Sequence, residues 1–495
     1  MESHKKTFKK IKTFKKNNGI ILTGTLVFSM IAVAIIVALT SWFGVVFKSS
    51  KDLLYKEQAF HLAESGVEYY RWHLAHSPED FYDGSGTSTG PYVHDFKDTE
   101  GNVVGQFSLN ITAPNDMSNF VVVESVGTVI DHPTLSKTIR VKFAKPSFAK
   151  FAFVADSNLR FGEGTEVFGP IHSNGGIRFD GVAHNLVTSA RETYDDPDHV
   201  GAEEFGVHTH LSPTDPLPPT EIPLRSDIFK VGRQFPVPAV DFSGLTNDLS
   251  ELKTLAQSGG QYFNESGALG YKIVLKENDT FDLYTVTSLE NVPDASCQNI
   301  YNQDGWGTWS IKTEALQGNY ALPANGVIFA EDDIWVEGKI NSARVTIVAA
   351  RFPDLASNRK NIIVNNSLLY TKYDGSDSIS LIAQKDITAG LFSLDNLRID
   401  AALIAQNGRI GRFYYRPSYV QDNVTYPGCS TTHVRNSVTL YGMLASKNRY
   451  GFAYSDNTGY LVRTINYDAN LLYNPPPHFP LTSDNYEIIS WEDVN

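Results

Sequence analysis

The chain has 495 residues, 42% of them hydrophobic and 12% aromatic, and carries a net charge of −13 with only two cysteines. That length allows two or three domains with ample core. The acidic balance argues against nucleic acid as a partner of the bulk of the chain, because phosphate binding needs a basic surface.

The first 16 residues nevertheless hold Lys5, Lys6, Lys9, Lys10, Lys12, Lys15 and Lys16. Residues 19–47 follow without a single charge, and downstream come only Lys48, Lys51 and Lys56 within a similar distance. An apolar run of 29 residues exceeds the roughly 20 needed to cross a bilayer and is too long for a secretory signal core. The lysine asymmetry predicts a single pass through the inner membrane, with the N-terminus cytoplasmic and the bulk outside. No proline interrupts residues 19–77, so one helix is expected to continue beyond the lipid. In its outer half Tyr55, Ala59, Leu62, Ala63, Gly66, Val67, Tyr70 and Leu74 recur at spacings of three and four, the stripe of an amphipathic helix. That stripe can pack on the protein's own next domain or on neighbouring subunits, and its small residues permit close approach.

A Lys-rich leader ending at Gly19, an apolar start at Ile20 and the segment EQAFHLAESGVEYYRW (57–72) resemble the N-terminus of PilX-type minor pilins, over about residues 15–75. The large minor pseudopilin of type II secretion is similar. The resemblance implies cleavage by a prepilin peptidase between Gly19 and Ile20, and packing with other pilins through the helix. Major pilins of that family carry Glu at the fifth mature position, which is Gly24 here. The departure fits a minor or tip subunit rather than a repeating one, and leaves an uncleaved membrane anchor open.

Residues 77–92 are rich in Pro, Gly and Ser and read as a loop; GSGTSTG lacks the Lys-Ser/Thr pair of a phosphate loop. Alternating runs at 103–112, 120–130 and 135–143 predict a small antiparallel sheet over 93–146 that would complete a pilin-like head. From about residue 149 a pattern repeats: FVADSNLRF (153), IHSNGGIRF (171), IFAEDDIWV (328), LIAQKDITA (381), LIAQNGRIG (403) and MLASKNRYG (443), with VTIVAA (345) lacking the polar turn. Two apolar residues, a small residue or His, a polar turn and a return to apolar suggest a right-handed parallel β-helix over 149–190 and 325–475. The expected fold is therefore α+β and mainly β. It comprises a long transmembrane helix, a small antiparallel sheet and a large solenoid with an inserted α+β subdomain at 191–324. That insertion holds a Pro-rich linker and a helix on which Leu245, Leu249, Leu252 and Leu255 share a face. Residues 476–495 read as a Pro-stiffened tail lying across the last coil.

Chemistry is sparse. Asp195, Asp196, Asp198, His199, His208 and His210 form the densest set of potential ligands, but fit neither an EF-hand loop nor an HExxH helix, so the run reads as a solvated loop and no metal or cofactor is assigned. Glu331, Asp332 and Asp333 beside Trp335, with Lys339 and Arg344 near, are where a polysaccharide-cleaving enzyme would place carboxylates; a solvated turn is the plainer reading. His172 stands at the small-residue position beside Ser173, without a nucleophile elbow. Clusters at 412–415 and 450–454 supply aromatic core or contact surface. Cys297 and Cys429 would face an oxidising compartment, where they can bridge or remain apart. The expected function is a non-catalytic minor pilin component of a type IV pilus or related filament, serving assembly, tip or adhesion. Its partners would be other pilins, prepilin peptidase, membrane lipid and a surface ligand that the sequence does not name. A tethered β-helix enzyme and a plain envelope anchor are the alternatives.

Overall fold

The computed structural model describes residues 18–114, 120–242, 245–483 and 485–494; most of the Lys-rich leader (1–17) lies outside them. Helix α1 runs without a break over Asn18–His76. Its first half is uncovered and is the one helix among the described residues long and apolar enough to cross a membrane.

The outer half of α1 packs on an antiparallel sheet. Strands β1 (Tyr92–Lys97), β2 (Val103–Thr112), β3 (Phe120–Val129) and β4 (Ser136–Ala144) pair in sequence order. On β3, positions 121, 123, 125, 127 and 129 are buried and the intervening ones half-exposed, the period of two that covers one sheet face. That face supplies Val121 and Val123, joined by Phe107, Leu109, Ile139, Val141 and Phe143, and meets Ala63, Val67, Tyr70 and Leu74 of α1. The fifth strand is the C-terminal one. Glu487–Asp493 pairs antiparallel with β4, setting Trp491 opposite Val141. The tail first lies across the large domain, where Thr346 donates to the Pro477 carbonyl and Phe479 packs with Val348, and only its final strand closes this sheet.

Everything between β4 and the C-terminal strand belongs mainly to one large sheet, 21-stranded among the described residues and dominated by parallel pairings. Three ladders run through this domain. In the first, Ile328, Ile347, Leu381, Leu403, Leu444, Phe153, Ile171 and Val187 are successive in-register neighbours. The second runs through Tyr271, Ile334, Ile362, Ile387 and Ile410, and after an interruption through Leu159, Ile177 and Val207. The third runs through Leu275, Gly338, Leu368, Ile399, Leu440, Ile465, Val167 and Ala183. Apolar residues of all three ladders meet in a single core.

The order of these rungs departs from the order of the chain. The polypeptide enters in the middle of the stack at Phe153, builds outward to Arg233, and restarts at the opposite end with Gln261. It then returns until Leu444 pairs with Phe153. The 191–324 segment is accordingly not a separate subdomain. Arg233–Gln234 and Gln261–Phe263 are end rungs of the first ladder, and Gly270–Leu275 pairs parallel with Ile334–Ile340. Helix α2 (Leu245–Gly259) covers the outer side of the first ladder, placing Leu249, Leu252 and Ala256 against Phe329, Val348 and Ile382. The Leu245 side chain lies outside the described set.

Two repeat alignments shift by one residue. Leu444, not Met443, stands in register with Leu403, and Ser173, not His172, occupies the small position beside Ala155. The Ala330, Ala349, Ala383, Ala405, Ser446, Ala155, Ser173 and Ser189 column supplies the small residue at the start of each turn.

Candidate functional site

A concavity opens where the second ladder is interrupted. Leu159–Phe161 pairs with Ile177–Phe179 on one side, but no pairing joins it to Gly451 on the other. A groove of about 860 Å3 opens between them. Arg160, Arg178, Arg409, Arg449 and Arg463 line it against Glu163, Asp180 and Asp198, together with Tyr301, Tyr454 and His210. Not all of these cations are available. Arg463 donates to Thr165 Oγ1 at 3.0 Å and to the carbonyls of Tyr460 and Leu461 at 2.8 and 2.7 Å, and so braces the fold. Arg449 and Arg160 both face Asp198, at 2.5 and 3.6 Å.

One wall of the groove is the loop that reads as solvated in the sequence. It is so only in part: residues 197–203 are exposed, as expected, but its two flanks turn inward. Asp196, Glu204 and His208 are buried, whereas Asp195 is exposed and Asp198 is held by the two arginines. Local structure explains the difference. Val207–His208 joins Ile177–Phe179 as a parallel strand, and Glu204 lies in the short strand that pairs with Thr193–Tyr194. Asp180 fixes the loop by accepting from the His210 amide at 2.8 Å, and Asp215 by accepting from the Thr209 amide at 2.9 Å. Although burial works the other way, the Asp196 carboxyl is lowered, with the Asp198 amide and Arg178 among the groups that favour its charged form. Burial lowers His210. Glu204 escaped the sequence reading, because nothing in the sequence distinguishes buried Glu204 from its exposed neighbour Glu203.

No protein-family model and no curated protein matches the chain. Among solved structures, the competence-associated pilin ComZ from Thermus thermophilus superposes with a TM-score of 0.29 at 12% identity, over 89% of this chain and 98% of that one. So loose a superposition carries no argument about this protein.

The remaining sequence candidates take these places. Gly19 and Ile20 lie within α1 near its start. Tyr55, Ala59, Leu62, Ala63, Gly66, Val67, Tyr70 and Leu74 all face the chain's own sheet. The Tyr55 ring lies tilted against His132 at 3.9 Å, and Ala59 and Leu62 meet Val129. Cys297 and Cys429 form a disulfide within a cluster that includes Leu391, Phe413 and Tyr415.

The carboxylate run is committed to local contacts. Glu331 pairs with Lys253 of α2; Asp332 accepts from Ser266 Oγ at 2.6 Å and Lys360 Nζ at 3.1 Å; Asp333 accepts from the Asn361 amide at 2.6 Å. Burial pushes the Asp333 carboxyl up to about 6. Trp335 is buried, Lys339 pairs with Glu277 at 2.9 Å, and Arg344 bonds Ser378 Oγ at 3.4 Å. His172 bonds Thr188 and Asn174, each at 3.0 Å, while the Ser173 hydroxyl donates to the Ser157 carbonyl. The two residues are not paired with each other. Of the aromatic clusters, Tyr415, Tyr450 and Phe452 are nearly sealed from solvent, whereas Tyr454 is half-buried on the groove wall.

Proposed function

We propose that this chain is a membrane-inserted, non-catalytic pilin-like subunit of the PilX type, which carries a large β-helical domain on a type IV pilus or related filament. The observation that supports this most is the course of α1. An uncovered apolar half runs without a break into a half that packs on the antiparallel sheet, and the large domain departs from β4 and returns to the strand beside it. The three parallel ladders around one core are read as the faces of the β-helix. A projecting domain far larger than the sheet that bears it suits a tip or sparse position, where it would not have to repeat along a shaft. The groove between Gly451 and Leu159 is the surface offered to a ligand.

The test is the mature N-terminus, read by mass spectrometry on protein from membranes and from sheared surface material. A chain beginning at Ile20, especially one methylated and present in the sheared fraction, is the expected result. A chain retaining residues 1–19 and confined to membranes would make α1 a plain anchor and overturn the filament reading.

A further inference from the structure

Inside the loop wall of the groove, two hydrogen-bond acceptors face each other with nothing between them. The Nδ1 atom of His208 lies 3.3 Å from the Phe205 carbonyl oxygen. That oxygen can only accept, so the ring proton of the neutral imidazole sits on Nδ1 and leaves a lone pair on Nε2. Nε2 lies 3.6 Å from Asp196 Oδ2, beyond hydrogen-bond reach. Both atoms are enclosed and have no hydrogen-bond partner, on side chains that are 0% and 3% exposed. The other Asp196 oxygen is already used by the Asp198 amide at 3.0 Å.

A cation would reconcile the pair. Ligand atoms of Asp196, His208 and His210 all lie within 4.8 Å of one another. Tetrahedral zinc, with bonds of about 2.0–2.1 Å, holds its ligand atoms about 3.4 Å apart. The 3.6 Å separation of His208 and Asp196 is close to that edge. The third ligand comes with its own support. His210 Nε2 lies 3.2 Å from Glu204 Oε1, an arrangement in which a carboxylate takes one ring proton and leaves the other nitrogen basic. Glu204 also faces His199 Nδ1 at 3.4 Å. The nearest competing cation, Arg178, stands 3.7 Å from Asp196 Oδ2 and spends its Nε on Asp180 at 2.7 Å.

We propose that Asp196, His208 and His210 bind a divalent transition-metal ion of the zinc class. Glu204 orients His210, which lines the groove. Imidazole nitrogen with carboxylate oxygen selects zinc-like ions over Ca2+ or Mg2+, which take oxygen donors. The ion would fix the groove wall in place.

The experiment uses the full chain in detergent, stripped with EDTA and titrated with Zn2+ by equilibrium dialysis and elemental analysis. One ion per chain is expected. Asp196→Asn and His208→Ala should each weaken binding by at least about tenfold, while Asp195→Asn, at the exposed neighbour, leaves it unchanged. X-ray absorption on the zinc-loaded wild type gives a readout that needs no variant to fold, and should show two imidazoles. Absence of stoichiometric binding, equal affinity in both variants, or an ion without imidazole scattering would overturn the proposal.

Discussion

Replacing Gly127 by Ala should loosen α1 from the antiparallel sheet. A methyl group built at this position of β3 would lie 2.0 Å from the Ala59 carbonyl oxygen, 2.5 Å from the Ala63 amide nitrogen and 3.0 Å from Leu62 Cβ. The first two are helix backbone, so no side chain can rotate away. Restoring ordinary contact requires α1 and β3 to separate by about 1.4 Å, the difference between 2.0 Å and a contact of about 3.4 Å. A gap of that size forfeits a large part of the dispersion energy along the seam, where Ala59, Ala63, Val67 and Tyr70 are all fully buried. Overpacking in a close-fitted core costs about 1–3 kcal/mol, and the backbone clash puts this site at the upper end, about 3 kcal/mol. For a head of roughly 100 residues that is a fall of about 12–24 °C in its melting temperature. The assay is thermal unfolding of the purified full chain, followed by protease sensitivity of the 50–76 segment. Gly24→Ala, where a methyl group meets nothing within 4 Å, is the control. A Gly127→Ala protein melting within about 2 °C of wild type would refute the helix–sheet spacing on which the argument rests.

Two further outcomes follow from the large domain. The Cys297–Cys429 bridge spans 132 residues, for which the chain-entropy relation gives an upper value of about 5 kcal/mol. Cys297→Ser should therefore melt several degrees below wild type, and reductant should lower wild type alone; identical melting of both would show that the bridge contributes nothing. Asp333, whose carboxyl burial raises to about 6, binds its proton more tightly folded than unfolded. Its contribution is thus fullest below the ordinary carboxylate range and is lost as pH rises to about 6, by at most about 3 kcal/mol. Urea unfolding at about pH 4 and about pH 6.5 should show a smaller fall in Asp333→Asn than in wild type, and an equal fall would refute the assignment.

What was legible in the sequence was whatever a local period encodes. The α1 stripe repeats at three and four, and the runs at 103–112, 120–130 and 135–143 come within a residue or so of β2, β3 and β4. The apolar–small–polar motif located most rungs of the first ladder, because each rung needs an inward apolar residue followed by a residue small enough to begin the turn. Stacking order was not legible, since a repeat says that rungs are alike and nothing about which one follows which. One-residue slips arose at Met443–Leu444, where both alternatives are apolar, and at His172–Ser173, where the histidine was read at the place of the small residue. In the loop at 195–210 composition pointed to solvent, but short strand pairings decide which side chains turn inward. They bury Asp196, Glu204 and His208 while leaving Asp195 and Glu203 outside.

The C-terminal strand was missed for a related reason, and its placement has a consequence for assembly of the molecule. EIISWED alternates too briefly to announce a partner, and its partner β4 lies more than 340 residues earlier. Both ends of the large domain are tied at this point. Ser147 bridges Leu481, the Thr482 amide donates to the Pro146 carbonyl at 2.8 Å, and Ala144 stands opposite Glu487. Within the domain, Phe153 near the start closes on Leu444 near the end. The outer edge of β4 and the middle of the first ladder therefore both stay open until the last part of the chain arrives. An open strand edge invites wrong pairing, and closure by non-local contacts is slow. The permuted stack thus leaves both the fifth strand of the small sheet and the closure of the first ladder to the last part of the chain.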